Sequence, residues 1–396
     1  MNNVTRPTKI HIWIPDYESA MGGIQVFSRF FIRALGECLP EAEFSVLSKN
    51  DNSFPVLPLP AGRNRFTCAG WWPRAIRTPA FACRLLAHTL RHRPDLVLTT
   101  HVNFSPVASW AKRLAGVPYV AVAHGVDVWG ARTGWLRKAL RHADFVLAVS
   151  QFTRQRIIEG LKLPAHQVGL LPNTVDAEKF TPAPKPRYLL KRFGLKPEQP
   201  VILTIARLAS EERYKGYDQI LRALPAIRRE LPDVRYIVGG RGPDHARIKA
   251  LANELGLAKN VTFAGYVPDH ELCDFYNLCD VFAMPSKQEG FGIVFLEALA
   301  CGKPVLAGNQ DGSVDALLGG EVGVLVDPDN VRTIGDSLSA ILLKRHPLTV
   351  LQQPGQLRAR AIETYGFGQF RNQLAAHLSR LGVSVHPLVC AALPAS

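Results

Sequence analysis

Short, almost wholly apolar runs recur along this chain, and helical stretches separate most of them; no other feature restricts the fold as much. Strands buried on both faces read this way, and they belong to parallel sheets with helices on either side. In the first half the runs fall at 10–14, 44–47, 95–100, 119–123, 144–149 and 168–171. In the second they fall at 200–206, 235–238, 261–264, 281–284, 304–307 and 324–326. A proline cluster, Thr181-Pro182-Ala183-Pro184-Lys185-Pro186, separates the two series. The expected fold class is α/β, with two Rossmann-like domains facing a central cleft. The expected boundaries are 1–177 for the first domain, 178–199 for a linker, 200–365 for the second domain, and 366–396 for a segment crossing back. A chain of 396 residues with 47% hydrophobic residues gives each half a sizeable core.

The stretch after the 281–284 run carries the most chemistry. Pro285-Ser286-Lys287-Gln288-Glu289-Gly290-Phe291-Gly292 reads as a loop, and Ile293-Val294-Phe295-Leu296-Glu297-Ala298 as a helix. Glycines beside a helix start permit tight backbone geometry and leave N–H groups for an oxygen-rich ligand. Glu289 falls at a strand's carboxyl end, where open α/β sheets bind ligands. Glu297 stands in an apolar helical run, where a carboxylate is costly without a partner. The alternative is an ordinary loop with two solvated glutamates.

Other strand ends carry polar groups. The first run leads through a Gly22-Gly23 loop into a helix with Ile24, Phe27, Phe30, Phe31, Ala34 and Leu35 on its apolar positions. It lacks G-x-G-x-x-G spacing, so no dinucleotide fingerprint is present. Thr100 and His101, then His124-Gly125 with Asp127, then Asn173 with Asp176 follow later runs. Arg207 closes the first run of the second half and Lys215-Gly216 follows; a guanidinium offers a rigid fork for phosphate and an ammonium a compact charge. Two ordinary surface cations are the competing reading.

Glu289 and Glu297, within E-G-F-G-I-x-x-x-E, resemble the signature of retaining glycosyltransferases with two Rossmann-like domains, glycosyltransferase family 4 of the GT-B fold. The resemblance implies that Arg207, Lys215, Glu289 and His124 are catalytic. It implies that Gly22, Gly23, Gly240, Tyr266, Val267, Phe291, Gly292, Ile293 and Glu297 bind the donor, and that His101, Asp127 and Asn173 lie on the acceptor side. Arg207-Leu208 and Lys215-Gly216 match the family's R-L and K-G pair, although eight positions from Arg207 to Lys215 is a long spacing and Ala206 stands where many members have glycine. Asp311-Gly312-Ser313-Val314-Asp315 departs from the family's G-G-x-x-E, which puts donor contacts there in doubt. Family features run from Gly22 to about Phe367.

The formal charge of +14 calls for negative partners. No acidic residue lies between Asp51 and Asp95, whereas Arg63, Arg65, Arg74, Arg77, Arg84, Arg91 and Arg93 do, interleaved with Trp71, Trp72, Ile76, Phe81, Leu85 and Leu86. Trp129, Arg132, Trp135, Arg137, Lys138 and Arg141 form a second such cluster. Aromatic groups beside arginines suit an anionic membrane surface, against the plainer reading of packed tryptophans and solvated arginines. No short nucleic-acid signature appears, so nucleic acid is not an expected partner. Seven cysteines without a C-x-x-C pair read as thiols in a reducing compartment, and MNNVTRPTK shows no signal peptide. The expected location is cytoplasmic, peripheral on the cytoplasmic face of the inner membrane.

Together with the basic aromatic segments, the resemblance implies retaining, metal-independent hexosyl transfer without a cofactor, from a nucleotide sugar to a lipid-linked saccharide in envelope or exopolysaccharide synthesis. GDP-mannose is the first donor expected, UDP-sugars the next; an acceptor in solution and an inactive sugar-nucleotide-binding module remain open. A hydrolase pair of carboxylates fits poorly, because Glu297 lies roughly 12 Å down a helix from Glu289. No motif for the pyridoxal-phosphate lysine of a phosphorylase stands out.

Overall fold

The computed structural model describes residues 8–18, 22–54, 64–129 and 134–386; Arg63 and Arg132 of the basic clusters, Cys390 and residues 1–7 lie outside them. The chain forms two units, one built from the residues up to Thr174 and from Phe367 onward, the other from Val175–Gly366.

The first unit holds a seven-stranded sheet, every neighbouring pair parallel. Its strands are β1 (Lys9–Ile14), β2 (Glu43–Ser48), β3 (Asn64–Cys68), β4 (Leu96–Thr99), β5 (Tyr119–Ala123), β6 (Phe145–Ala148) and β7 (Val168–Leu170). They lie in the order β3-β2-β1-β4-β5-β6-β7. Six of the seven were legible as apolar runs. β3 was not: it is an edge strand on which Phe66 alone is buried, and only its pairing with β2 makes it a strand. It places Arg65 and Phe66 of the basic aromatic segment in the sheet.

Helix Gly23–Cys38 buries Phe27, Phe31, Ala34, Leu35 and Cys38, spaced three and four apart, against the sheet. Helix Phe367–Arg380 docks on it. Phe370 meets Phe27 edge-on at 5.6 Å, and Arg371 reaches Glu37 at 2.9 Å. Helices Arg74–His92, Ser105–Ala115 and Gly134–His142 form a second layer, the middle one packed against both others.

The second unit holds a six-stranded parallel sheet: β8 (Val201–Ile205), β9 (Arg235–Gly239), β10 (Val261–Gly265), β11 (Val281–Met284), β12 (Val305–Gly308) and β13 (Val324–Val326). The order is β10-β9-β8-β11-β12-β13. Helix Tyr217–Glu230 buries Ile220, Leu221, Leu224 and Ile227, and packs beside helix Val331–Leu342, which buries Ile334 and Leu338. Residues 178–199 belong to this unit. Phe180 packs on Tyr276, Phe193 on Phe275, and Arg358 donates to the carbonyls of Ala177 (2.6 Å), Phe180 and Ala300 (2.5 Å). Val175 and Gly366, where the chain enters and leaves the unit, pair in a parallel bridge.

In both sheets the order reverses beside the first strand of the unit, at β1/β4 and at β8/β11. Loops leaving two adjacent strands in opposite directions open a crevice at their carboxyl ends, which is where such sheets take ligands. Gly22, Thr100 and His101 follow β1 and β4; Arg207, Lys215 and Glu289 follow β8 and β11.

Candidate active site

At β8/β11 the two loops are drawn together by a glycine. Gly216 has φ +82°, and a Cβ there would stand 2.2 Å from the Pro285 carbonyl oxygen. Only a residue without a side chain lets the first loop come this close, and the Lys287 N–H donates to the Tyr214 carbonyl at 3.0 Å beside it. The approach brings Lys215 Nζ to 2.5 Å from Glu289 Oε1, both side chains being about 15% exposed. Burial pulls the Lys215 ammonium down, but the charge and hydrogen bond of Glu289, with Tyr214 and Glu212, outweigh it and leave the group above its ordinary value.

The long spacing from Arg207 to Lys215 is taken up by a 3₁₀ turn, Ser210–Lys215. That turn carries Glu212, which the sequence reading did not single out. Its Oε1 accepts from the Arg207 guanidinium, and its buried Oε2 has no hydrogen-bond partner and lies 3.9 Å from Lys215 Nζ. Arg207 is otherwise open, its side chain 78% exposed. One buried acid thus stands between two cations, one exposed and one enclosed.

Arg207 is set from the other side by the loop after β9. A Cβ at Gly240 (φ +137°) would stand 1.8 Å from the Ala206 carbonyl, and Leu208 N–H donates to Arg241 O at 3.0 Å. Gly240 therefore packs on the backbone that presents Arg207. Asp244 fixes the far end of this loop: hydrogen bonds from Arg247 chiefly, with Tyr217 assisting, hold its carboxyl down at about 2.

Gly292, at φ +91°, starts helix Ile293–Ala300, and the first-turn amides of a helix have no partner within it. Phe291 and Ile293 are buried, the Phe291 ring lying edge-on to Tyr365 at 5.2 Å. Glu297 is buried farther along, with Tyr276 Oη donating to its Oε2 at 2.6 Å. Burial pushes its carboxyl up to about 7, against the opposing hydrogen bond from Tyr276. Of Tyr266 and Val267, only Tyr266 is exposed (49%), with the Arg241 guanidinium over its ring at 5.9 Å; Val267 packs against Gly239.

The remaining candidates lie in the first unit. Gly22 caps helix Gly23–Cys38 in extended conformation with no side-chain cap, and Gly22 and Gly23 are both exposed. His124 Nε2 lies 2.8 Å from the Thr100 carbonyl, which can only accept, so Nε2 carries the proton and Nδ1 remains as an acceptor. Burial lowers His124 to about 4, keeping the ring neutral. Asp127 takes the His124 N–H on both oxygens, at 3.0 and 3.2 Å, and so shapes the loop. His101 accepts from Asn103 N–H at 3.2 Å, its ring 6.3 Å from His124. Asn173 is 7% exposed, and its Oδ1 has no hydrogen-bond partner.

Residues 22–179 match the model of Glycosyltransferase Family 4, and residues 189–363 that of Glycosyl transferases group 1. The GDP-mannose-dependent alpha-(1-6)-phosphatidylinositol monomannoside mannosyltransferase of Mycolicibacterium smegmatis is 36% identical over 349 residues, 83% of this chain and 87% of the relative. The chain belongs to glycosyltransferase family 4. A monoacylated-substrate mannosyltransferase of Corynebacterium glutamicum is 29% identical to this glycosyltransferase, over 69% of the chain and 73% of the relative. Among solved structures, Thermosynechococcus elongatus sucrose-phosphate synthase superposes with TM-score 0.78 at 21% identity, covering 95% of this chain and 99% of the other. Anabaena Alr3699/HepE in complex with UDP gives 0.75 at 20%, covering 94% and 100%. These two establish the GT-B fold of the glycosyltransferase.

In this glycosyltransferase the Glu289 loop also has a support that its sequence showed only as a departure from the family pattern. Asp311 is fully buried against it, and burial pushes its carboxyl up to about 6. The signal was present: an acid where the family pattern that the sequence resembles has glycine, in a loop following the strand next to β11.

Proposed function

We propose that this glycosyltransferase moves mannose from GDP-mannose, with retention and without a metal, to a lipid-linked saccharide at an anionic membrane surface on the cytoplasmic face of the inner membrane. The observation that carries the reading is the cluster of Arg207, Lys215, Glu212 and Glu289 at the β8/β11 crevice, beside the uncapped start of helix Ile293–Ala300. Departure of a nucleoside diphosphate builds negative charge on the β-phosphate, and fixed cations stabilise that charge more in the transition state than before it. Arg207, exposed and steered by Glu212, takes the phosphate oxygens from outside; Lys215 takes them from within. Glu289, paired with Lys215, offers its carboxylate to the sugar hydroxyls with the amides of Phe291, Gly292 and Ile293. Glu297 accepts from the ribose, and Tyr266 stacks on the base.

On the acceptor side, neutral His124 offers Nδ1 to a sugar hydroxyl, and the unpaired Asn173 Oδ1 offers a second acceptor. Retention follows from attack on the face the diphosphate leaves, with the leaving phosphate taking the proton. Donor and acceptor class rest on the relatives, whose names specify GDP-mannose and phosphatidylinositol monomannoside. The membrane reading rests on three adjacent helices, Arg74–His92, Ser105–Ala115 and Gly134–His142, which contain no acidic residue. Trp71, Ile76, Trp110, Leu114 and Trp135 are exposed on or beside them. Among the described residues no helix is long and apolar enough to cross a membrane. A thermal-shift panel of nucleoside diphosphates, then an assay of mannosyl transfer to lipid-linked acceptors with chelator present, tests the whole. Stabilisation by GDP and turnover with GDP-mannose support it; preference for UDP, or loss of turnover with chelator, defeats the donor or metal part.

A further inference from the structure

The loop leaving β12 lies flat on the loop that carries Glu289. Two glycines make the approach possible: a Cβ on Gly308 would stand 1.9 Å from the Ser286 carbonyl oxygen, and one on Gly312 would stand 2.2 Å from that of Gly290. Between them Asp311 sends its carboxylate into the Glu289 backbone. Oδ2 accepts from Ser286 Oγ and from the Glu289 N–H, both at 2.7 Å, and Oδ1 accepts from the Ser313 N–H at 2.9 Å. Gly312 N–H completes the grip by donating to the Glu289 carbonyl at 2.8 Å. The peptide on both sides of the Glu289 Cα is therefore held from one loop, while its side chain points to Lys215.

We infer that Asp311 is a positioning residue for Glu289, fixing the backbone from which that carboxylate meets the donor sugar. The inference rests on the role of Glu289 proposed above. Asp311 is wholly enclosed and can touch no substrate, so any effect on transfer passes through the loop. Charge-assisted hydrogen bonds are the stronger kind, and a carboxylate is needed here because all three of its partners donate. Asparagine has the same volume but only one acceptor oxygen. Kept on Ser286 and Glu289, that oxygen leaves the amide NH₂ facing the Ser313 N–H; turned round, the NH₂ faces the Glu289 N–H.

The test compares Asp311→Asn, Glu289→Gln and the double variant with the wild-type enzyme, measuring GDP affinity and the kcat and KM of sugar transfer. The expected result is a loss of about ten- to hundredfold in kcat for Asp311→Asn, with GDP affinity within about twofold of wild type. The double variant should be no slower than Glu289→Gln alone. Near-normal turnover of Glu289→Gln would instead sink the role of Glu289 itself. If Glu289→Gln is slow but Asp311→Asn has wild-type kcat, or the two losses multiply, positioning is refuted. Loss of GDP binding together with turnover in Asp311→Asn also overturns it, since the residue would then be holding up the unit and not the carboxylate.

Discussion

Lys215 Nζ lies 2.5 Å from Glu289 Oε1, although 74 residues separate the two. The pair is largely enclosed, so each charge depends on the other for the solvation it has lost.

Removing one partner leaves the other uncompensated. Lys215→Met should lower unfolding free energy by about 2–4 kcal/mol and abolish transfer, whereas adding Glu289→Gln to it should return much of that stability. Urea denaturation of the single and double variants measures the coupling. Additive losses would mean the pair is solvated and not enclosed.

Arg207 should separate catalysis from stability. With its side chain 78% exposed and Glu212 as its acidic partner, Arg207→Ala should leave the melting temperature within a degree or two while kcat/KM falls by about 10²–10³. Glu212→Ala should show a smaller loss in the same direction, because it frees the guanidinium without deleting it. Intact transfer by Arg207→Ala would show that leaving-group stabilisation lies elsewhere.

Gly240→Ala tests the backbone that presents Arg207. An alanine at φ +137° is strained, and its Cβ would stand 1.8 Å from the Ala206 carbonyl, so the strand end must shift. A stability loss of about 1–3 kcal/mol should come with weakened GDP binding, read by calorimetry. Unchanged affinity would mean Arg207 is set by Glu212 alone.

On its proposed role at the donor ribose, Glu297 should make nucleotide affinity depend on pH. Burial raises its carboxyl to about 7, against the Tyr276 hydrogen bond and the nearby Lys179 charge that lower it, with Asp269 raising it further. If ribose hydroxyls donate to the ionised form as proposed, GDP affinity should fall by up to about tenfold from pH 8 to pH 6, more steeply in wild type than in Glu297→Gln. Stability runs the other way. A raised carboxyl favours the fold fully below pH 4.5 and loses that contribution as pH rises through about 7, so Glu297→Gln should be relatively more stable above pH 7. Parallel binding curves for the two proteins would remove Glu297 from the donor site.

The three acid-free helices predict cosedimentation with vesicles containing anionic lipid and release as salt rises. Trp71→Ala with Trp135→Ala should weaken it several-fold at constant charge, since both rings are about two-thirds exposed. Binding indifferent to both lipid charge and tryptophan would end the membrane reading.

The parallel sheets were legible because a strand covered on both faces must be apolar at every position, and eleven of the thirteen strands are buried or nearly so along their length. β3 was hidden because Phe66 alone of its residues is covered, so Asn64, Arg65 and Thr67 mask it. Arg207, Lys215, Glu289 and Glu297 were legible as a motif, but Glu212 was not, because a glutamate among Ser210, Glu211 and Arg213 looks solvated until the 3₁₀ turn folds it under Arg207.

By itself the sequence determined twelve of the thirteen strands and which loops carry charge, since periodicity and glycine placement act over a few residues. Which charges meet was decided only by tertiary structure. The order β8 beside β11 beside β12 sets loops from three distant segments side by side, and desolvation there makes Lys215, Glu289 and Asp311 answer to one another. Short-range pattern carries no information about partners so far along the chain; only the assembled sheet supplies it.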